Sequence, residues 1–245
     1  MRVFQKNSFY DLAYRRFTRN RLAIIGAAIT LVFVLIAVFA PVLTPYGPSE
    51  FFFAEDGETY ARYAPPSAKH LLGTDSLGRD VLTRVFYGAR VTILVAFSAV
   101  LIATVIGTIV GLIAGYFGGF LDSVLMRLVD VVISFPVLFL LISISTILQP
   151  SLWIVVFAIG FVRWTNTARL VRGEVLRVKQ LDFISAARGS GSKSPKIILR
   201  HVMPNILAPI MVQVTIGTAQ AVLMEASLSF LGVGVQPPTP SWGNM

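Results

Sequence analysis

The sequence predicts an all-α, polytopic membrane protein with about five transmembrane helices, and three observations lead to this fold class. Of the 245 residues, 55% are hydrophobic and only 13% are charged, and the mean hydropathy is +0.75. A soluble domain of this size carries more charge on its surface. Several runs reach about 20 apolar residues, the length that crosses the hydrocarbon core of a bilayer. Because such runs recur along the whole chain, a signal peptide followed by a soluble body is excluded.

The predicted elements are arranged around a core of four spans. A basic, amphipathic segment (1–21) precedes a first uncharged span (22–43). A polar segment (44–90) that ends in an amphipathic helix then leads to the core (91–235), and the chain finishes in a Pro-rich end (236–245). Within the core, we expect the four spans at about residues 91–116, 124–148, 152 onwards and 206–235.

Two of these spans contain residues that are expected to end the apolar part of the span or to interrupt its helix. The fourth span turns polar at Arg163 and Trp164, and we expect its basic continuation to extend past the headgroups into water. In the last span, Pro209 and Gly217 are expected to interrupt the helix.

Charge is distributed unevenly and predicts the topology. Residues 1–21 hold six Lys or Arg and one acidic residue, and residues 163–200 hold nine Lys or Arg and two acidic residues. Residues 44–90, by contrast, hold five Lys or Arg and six acidic residues. Basic loops remain in the cytoplasm. Four crossings separate the two basic segments, so both are expected there with the N-terminus, and 44–90 and 236–245 are expected outside. With its basic residues divided in this way and no recognisable binding module, the chain is not expected to bind nucleic acid.

The second span contains small residues at every fourth position, which form one stripe along a helix. Small residues allow two helix backbones to approach closely in lipid. The stripe therefore predicts tight packing against another helix, of this chain or of a partner. Its residues are Ala99, Ala103, Gly107, Gly111 and Gly115.

Charged and polar residues within spans are costly and usually face protein or water. Arg127 and Asp130 lie three residues apart on one helical face, which is compatible with a proton relay or with a structural pair. We favour the structural pair, because one pair is too few for a relay. Gln213, Thr218 and Glu225 make the last span polar, so we expect it to line a protein interface or an aqueous path.

The segment 182–205, DFISAARGSGSKSPKIILRHVMPN, is polar, basic and too long for a simple turn between spans. Its pattern predicts a short helix over about 183–188, a break at 189–191 and a second turn that starts at Ser194-Pro195. We interpret it as a docking surface for a soluble partner. The residues expected to form this surface are Ser185, Ala186, Ala187, Gly191, Lys193, Lys196, Ile197, Arg200, His201 and Pro204.

Residues that would carry catalysis are not found in a recognisable pattern. GSGSKS at 189–194 departs from the phosphate-binding pattern G-x-x-x-x-G-K-[ST], and no strand precedes it. The two histidines, His70 and His201, fall on opposite sides of the predicted membrane, and there is no cysteine. We therefore expect no catalytic site, no metal site and no cofactor bound by this chain, and we do not expect it to be an enzyme.

Several stretches resemble one family of membrane proteins. The segment SAARGSG…RHVMPN is similar to the EAA loop of bacterial and archaeal ABC importer permeases, with Ala186, Ala187, Gly191 and Pro204 matching and Ser185 standing where many members have glutamate. The stretches GTDSLGRDVLTRVFYGAR, ARLVRGEVL and EASLSFLGVGVQPPTPSWGNM resemble the C-type permease of dipeptide, oligopeptide and nickel importers. The resemblance covers nearly the whole chain.

This resemblance implies a fold, a location and a set of partners. The fold is that of a type I ABC importer permease, in the cell membrane of a bacterium or archaeon. The partners are a second homologous permease, two cytoplasmic ATPases that hold ATP and Mg²⁺, and an external substrate-binding protein. The segment 182–205 corresponds to the coupling helix that links ATP hydrolysis to alternating access. Members of the family usually have one more span after PPTPSWGNM, so we expect the chain to lack a final span.

Two other classes of function remain as alternatives. An ion-coupled secondary carrier would need clusters of ionisable residues within the membrane or inverted repeats, whereas the spans offer little beyond Asp130 and Glu225. A membrane scaffold without a transport role would differ in that its polar last span is not in contact with water. The resemblance favours the permease, with short peptides as the expected substrate.

Overall fold

The computed structural model describes residues 17–54 and 59–245. The regular elements in these residues are helices, together with two isolated β-bridges, Phe53 with Tyr60 and Thr74 with Asp80. Of the predicted N-terminal segment 1–21, residues 1–16 lie outside the described residues. The helices are α1 (Arg21–Leu43), α2 (Val81–Phe117), α3 (Gly119–Ser134), α4 (Val137–Ile147), α5 (Leu152–Lys179), α6 (Asp182–Gly189), α7 (Ser194–Ile197) and α8 (Met203–Phe230).

The described residues contain four helices that are long and apolar enough to cross a membrane: α1, α2, α5 and the continuous helix Ser194–Phe230. The pair α3 and α4 passes the same criterion together, and the number of spans is five if this bent pair is counted as one. The predicted fold class, a polytopic helical membrane protein with about five spans, is confirmed.

Helices α2 and α5 form the centre of the molecule. Asp80 begins α2, because its carboxylate accepts a hydrogen bond from the backbone N–H of Thr83 at 2.8 Å. With 37 residues, α2 is about 55 Å long at 1.5 Å per residue, which exceeds the thickness of a bilayer core. It runs without a break from the polar region before residue 91 through the membrane. Ser151 begins α5 in the same way, by accepting from the N–H of Ile154 at 3.3 Å.

The third predicted span is not one helix, which corrects the expectation for residues 124–148. Helices α3 and α4 meet at an angle of 86°. Pro136 lies at the break, and Phe135 before it has an extended backbone (φ −88°, ψ 135°). Proline lacks the N–H that a helix needs and disfavours helical geometry in the residue before it.

The apolar interior consists of two main clusters at different heights. In the first, small and branched residues of α2 pack against α4, α5 and α8, with Ala96, Leu141, Ile159 and Leu228 at its centre. The second cluster lies near the C-terminal ends of α2 and α5 and extends into the 182–205 segment. Most of the surface of α1 remains exposed to the surroundings, and only its Ala37 and Ala40 are buried.

The last span is continuous through Pro209 and Gly217, contrary to the expected interruption. A proline removes one backbone hydrogen bond, and a membrane helix tolerates this loss where neighbouring groups compensate for it. After α8, residues 231–245 fold back onto the start of α2. The indole N–H of Trp242 donates to the carbonyl of Val85 at 3.1 Å, and its ring meets that of Phe33 edge-on at 5.5 Å.

The loop between α1 and α2 (residues 44–80, the 44–80 loop) is held by polar contacts. Asp75 accepts hydrogen bonds from the backbone N–H groups of Leu77 (2.9 Å) and Arg79 (3.0 Å) and from the Arg79 side chain (2.8 Å). Burial raises the pKa of Asp75, but these hydrogen bonds outweigh it, so the pKa lies below its ordinary value. Asp80 also meets Nδ1 of His70 at 3.0 Å.

Candidate functional site

The segment 182–205 folds as an exposed loop of short helices (the 182–205 loop). It consists of α6, a turn, α7 and a π-helical turn, Ile198–Val202, which leads directly into α8. The predicted helix, break and second turn are therefore confirmed, with α6 reaching Gly189. The loop lies beside the C-terminal ends of α2 and α5, at the opposite end of α2 from the 44–80 loop.

Gly191 gives the loop its turn. It has φ +80°, and its N–H donates to the carbonyl of Arg188 at 2.9 Å, while the N–H of Ser192 donates to that of Ala187 at 3.1 Å. These two bonds make a Schellman motif, in which glycine is favoured because other residues are strained at positive φ. A side chain at position 191 would meet nothing within 4 Å in this chain. The glycine is therefore required by the backbone and not by crowding.

The π-helical turn joins the loop to the membrane. The N–H of Met203 bonds to the carbonyl of Ile198 five residues earlier, and Pro204 follows at once. Because proline has no N–H and its ring crowds the carbonyl four residues before it, the wider π turn suits this junction. The side chain of Asn205 donates to the carbonyl of His201 at 2.6 Å, one turn earlier at the same junction. The sequence signals Pro204, but the π turn itself was not predicted.

One side of the loop is apolar and anchors it to the spans. Ile184, Ile197, Val202 and Ile206 are each at most 1% exposed. They pack against one another and against residues of α2 and α5: Tyr116, Val171, Val175 and Val178. Ile197 was expected on the docking surface and instead belongs to this anchor. An isoleucine on a short amphipathic helix gains more from burial beside other apolar side chains than from exposure.

The other side of the loop is exposed and basic. Four cations of the loop are exposed to solvent, and the same loop exposes large apolar side chains, Leu199 at 70% and Phe183 at 41%. The exposed cations are Arg188, Lys193, Lys196 and Arg200. Of the other residues expected on the surface, Ser185, Ala186, Gly191 and Pro204 are exposed, whereas Ala187 and His201 are half-buried.

Two cations contact Tyr116 at the end of α2. Lys179 of α5 donates to the carbonyl of Tyr116 at 2.6 Å, and Arg188 of the loop lies over the Tyr116 ring at 5.4 Å from its centre. Beside them is a cavity of about 390 Å³ that Gly191 and Ser192 also line. On α5, Arg172 forms a two-point ion pair with Asp122 of α3 at 2.5 and 2.7 Å.

The charged pair expected in the third span is assembled differently. Asp130 forms an ion pair with Arg169 of α5, whereas Arg127 is exposed. Two residues three apart on a helix can meet, but Asp130 instead pairs with an arginine of the neighbouring helix. Asp130 therefore belongs to a structural ion pair, as expected, but its partner is Arg169 instead of Arg127. Spacing along the sequence did not identify Arg169.

The small-residue stripe of α2 contacts α5 of the same chain. A Cβ added at Gly107 would lie 2.6 Å from the carbonyl oxygen of Trp164, and one at Gly111 would lie 2.6 Å from that of Ala168. At Gly115 the nearest atom, a Cβ of Val175, is 2.8 Å away. Ala99 and Ala103 are buried on the same helix. At the three glycines, no larger residue fits unless the neighbouring atoms of α5 move away.

The polar residues of the last span have different environments. Gln213 and Thr218 are half-buried, and their position beside a path stays a prediction. Glu225 is fully buried inside the chain, where it accepts hydrogen bonds from Thr92 at 2.9 Å and from Ser229 at 2.7 Å. In this structure it therefore joins α2 to α8 and does not lie on a path surface. Thr92 and Ser229 were not singled out, because a hydroxyl in an apolar span is a weak signal.

Arg163 was expected near the polar end of the fourth span but is buried, with 6% of its surface exposed. Trp164 is buried as well, because α5 crosses the interior at this height. The Arg163 guanidinium donates to the side chain of Gln220 on α8. The sequence contained a signal of this buried position, because an arginine eleven residues into an apolar helix usually faces protein or water.

Comparisons with known proteins agree with this architecture. Residues 107–245 match the family described as binding-protein-dependent transport system inner membrane component. Residues 8–66 match the N-terminal TM domain of oligopeptide transport permease C.

Curated relatives are similar along nearly the whole chain. The dipeptide transport system permease protein DppC of Alkalihalophilus pseudofirmus is 44% identical over 95% of this chain and 75% of its own length. DppC of Bacillus subtilis is 39% identical over 97% of this chain and 72% of its own length. The oligopeptide transport system permease protein OppC of Escherichia coli is 40% identical over 96% of this chain and 77% of its own length.

Proposed function

The chain belongs to the inner membrane permeases of binding-protein-dependent ABC importers, and we propose that it forms one half of the translocation path for short peptides. The family is a multi-pass membrane permease and not an ATPase. The proposed substrates, dipeptides or oligopeptides, are those that the names of the relatives state. An external binding protein would deliver them, and a second, homologous permease would complete the path.

The observation that carries this proposal is the two-sided 182–205 loop. Its apolar side is packed into the spans through Ile184 and Ile197, so a force on the loop is transmitted to α5 and α8. Its other side exposes a basic surface with apolar side chains between the charges, among them Leu199. Such a surface suits a groove with an acidic rim on a soluble partner.

We assign that partner as an ATPase subunit in the cytoplasm, one of two that bind ATP and Mg²⁺. The N-terminus and the 182–205 loop then lie on the cytoplasmic side, in accordance with the excess of Lys and Arg in both segments. The 44–80 loop and residues 231–245 lie on the outer side, at the other end of α2. Hydrolysis in the ATPases would move the loop and thereby switch the path between its inward and outward openings.

Charge reversal on the exposed side tests this assignment. In the complete importer, we expect the triple variant Lys193→Glu, Lys196→Glu and Arg200→Glu to retain about tenfold less ATPase subunit during purification and to lose ATP-driven uptake. Each reversed charge next to an acidic rim replaces attraction with repulsion. The chain itself should accumulate normally, because all three side chains are exposed.

The matched control reverses Arg62 and Lys69, which are equally exposed but lie in the 44–80 loop. This variant should retain its ATPase subunits. Equal retention and uptake in the triple variant and the wild type would contradict docking at the 182–205 loop.

A further inference from the structure

Arg163 is a buried cation on α5, one of the helices that are long and apolar enough to cross a membrane. It lies eleven residues after Leu152, the first residue of α5, which corresponds to about 17 Å along the helix. That distance is about half the thickness of the hydrocarbon core. A charge at this depth is costly, and such residues usually serve a ligand, an ion or a charged partner.

The described part of the chain supplies no counter-charge to this guanidinium. No carboxylate among residues 17–54 and 59–245 forms an ion pair with Arg163. One terminal nitrogen donates to Oε1 of Gln220, and the other is 3.9 Å from the sulfur of Met224, a weak acceptor. By contrast, Arg169 and Arg172 on the same helix each have an acidic partner.

A small cavity adjoins the guanidinium. Its volume is about 80 Å³, and it is lined by Arg163 and Asn166 of α5 and by apolar side chains at the bend between α3 and α4, such as Ile133 and Val137. Asn166 is exposed and Ile133 is 37% exposed, so these walls reach the surface of the chain. A cavity of this size admits a carboxylate but not a whole peptide.

Gln220, the neutral partner of Arg163, lies on a polar stripe of α8. Gln213, Gln220 and Ser227 follow one another at intervals of seven residues, which brings them to nearly the same face of the helix. Gln220 and Ser227 are exposed. An exposed polar stripe along a membrane-spanning helix faces water or protein rather than lipid. The guanidinium therefore lies directly behind a surface suited to an aqueous path.

We infer that Arg163 and Gln220 form a carboxylate subsite in the path, which takes the C-terminal carboxylate of a passing peptide. This inference rests on the proposed function, because every unmodified linear peptide carries that group. The planar guanidinium matches a carboxylate with two parallel hydrogen bonds. Gln220 occupies one arm of the guanidinium between substrates. A neutral amide is displaced more readily than an acid, and a transported ligand must bind weakly enough to leave.

Uptake of a dipeptide and of its C-terminal amide by the reconstituted importer tests the subsite. The assay uses the complete importer with one binding protein throughout, so a change in the acid-to-amide ratio between permease variants reports the permease. We expect Arg163→Gln to lower this ratio about tenfold relative to wild type, because a charge-assisted hydrogen bond is lost for the acid only. Arg169→Gln, on the same helix but paired with Asp130, should leave the ratio unchanged.

Arg163→Lys provides a second measurement should the glutamine variant fail to assemble. It retains the charge without the planar geometry, and we expect a ratio between those of wild type and Arg163→Gln. An equal loss of uptake for acid and amide, with an unchanged ratio in both variants, overturns the subsite and instead indicates pairing with an acidic residue of the second permease. No dipeptide uptake by the wild-type importer overturns the proposed function together with the subsite.

Discussion

The 182–205 loop and the 44–80 loop lie at opposite ends of α2 and maintain their shapes by different interactions. The 182–205 loop is bound by apolar anchors such as Ile184 and Ile197, and its polar surface makes few contacts with the rest of the chain. In the 44–80 loop, Asp75 and Asp80 accept several hydrogen bonds within the loop, beside aromatic contacts such as that of Tyr46 with Phe52 at 4.7 Å. A loop anchored from behind keeps its polar groups available to a partner, whereas the 44–80 loop uses its own to fold.

The two loops also differ in how far apart in sequence the residues that fix their shapes lie. The Schellman motif at Gly191 and the turn at Ser194-Pro195 involve residues close in sequence. In the 44–80 loop, a Cβ at Gly73 would lie 2.3 Å from the carbonyl oxygen of Ala64, and one at Gly78 would lie 2.7 Å from that of Phe52. Distant backbone segments cross there, and these crossings cannot be inferred from neighbouring residues.

The strongest test of the comparison removes the apolar anchor. Ile197→Ala should destabilise the 182–205 loop by about 2–5 kcal/mol, since a buried isoleucine is replaced by a cavity. Leu199→Ala, at a side chain that is 70% exposed, should change stability by less than about 0.5 kcal/mol. Hydrogen exchange of the two loops measures both effects. Equal destabilisation of the 44–80 loop by Ile197→Ala would contradict the separate anchoring of the two ends.

A smaller effect is expected from the turn of the 182–205 loop. Gly191→Ala requires alanine at φ +80° and should weaken the local structure by about 1–2 kcal/mol. The control is Gly189→Ala, at the helical end of α6, where an added Cβ meets nothing within 4 Å. There we expect no loss and a gain of up to about 1 kcal/mol. The exchange rate of the Ser192 amide reports the difference, and similar rates in both variants would argue against a role for the positive φ.

Acidification provides the mildest test and acts on the 44–80 loop. The folded pKa of Asp75 lies below its ordinary value, so its ionised form stabilises the loop above the unfolded pKa of about 4, and this contribution is lost as the pH falls through the folded pKa. The stability difference between wild type and Asp75→Asn should therefore decrease below about pH 4, as measured by thermal unfolding in detergent. A stability difference between wild type and Asp75→Asn that stays constant across this pH range would exclude ionisation of Asp75 as a source of loop stability.

Much of the 182–205 loop was predictable, because its signals act over a few residues. Glycine at a helix end and proline at a helix start have the same meaning in most contexts. The position of Ile197 was mistaken because its burial depends on Val171 and Val175, more than twenty residues earlier in the chain. The pairing of Asp130 with Arg169 was missed for the same reason.

By itself, the sequence determined the fold class, the approximate spans and the small-residue stripe of α2, since hydrophobicity and side-chain size are properties of single residues or short runs. Only the tertiary structure decided which helix the stripe meets, how α3 and α4 bend, and that Glu225 and Arg163 are buried. The physical reason is that burial and ion pairing depend on atoms brought together from distant parts of the chain.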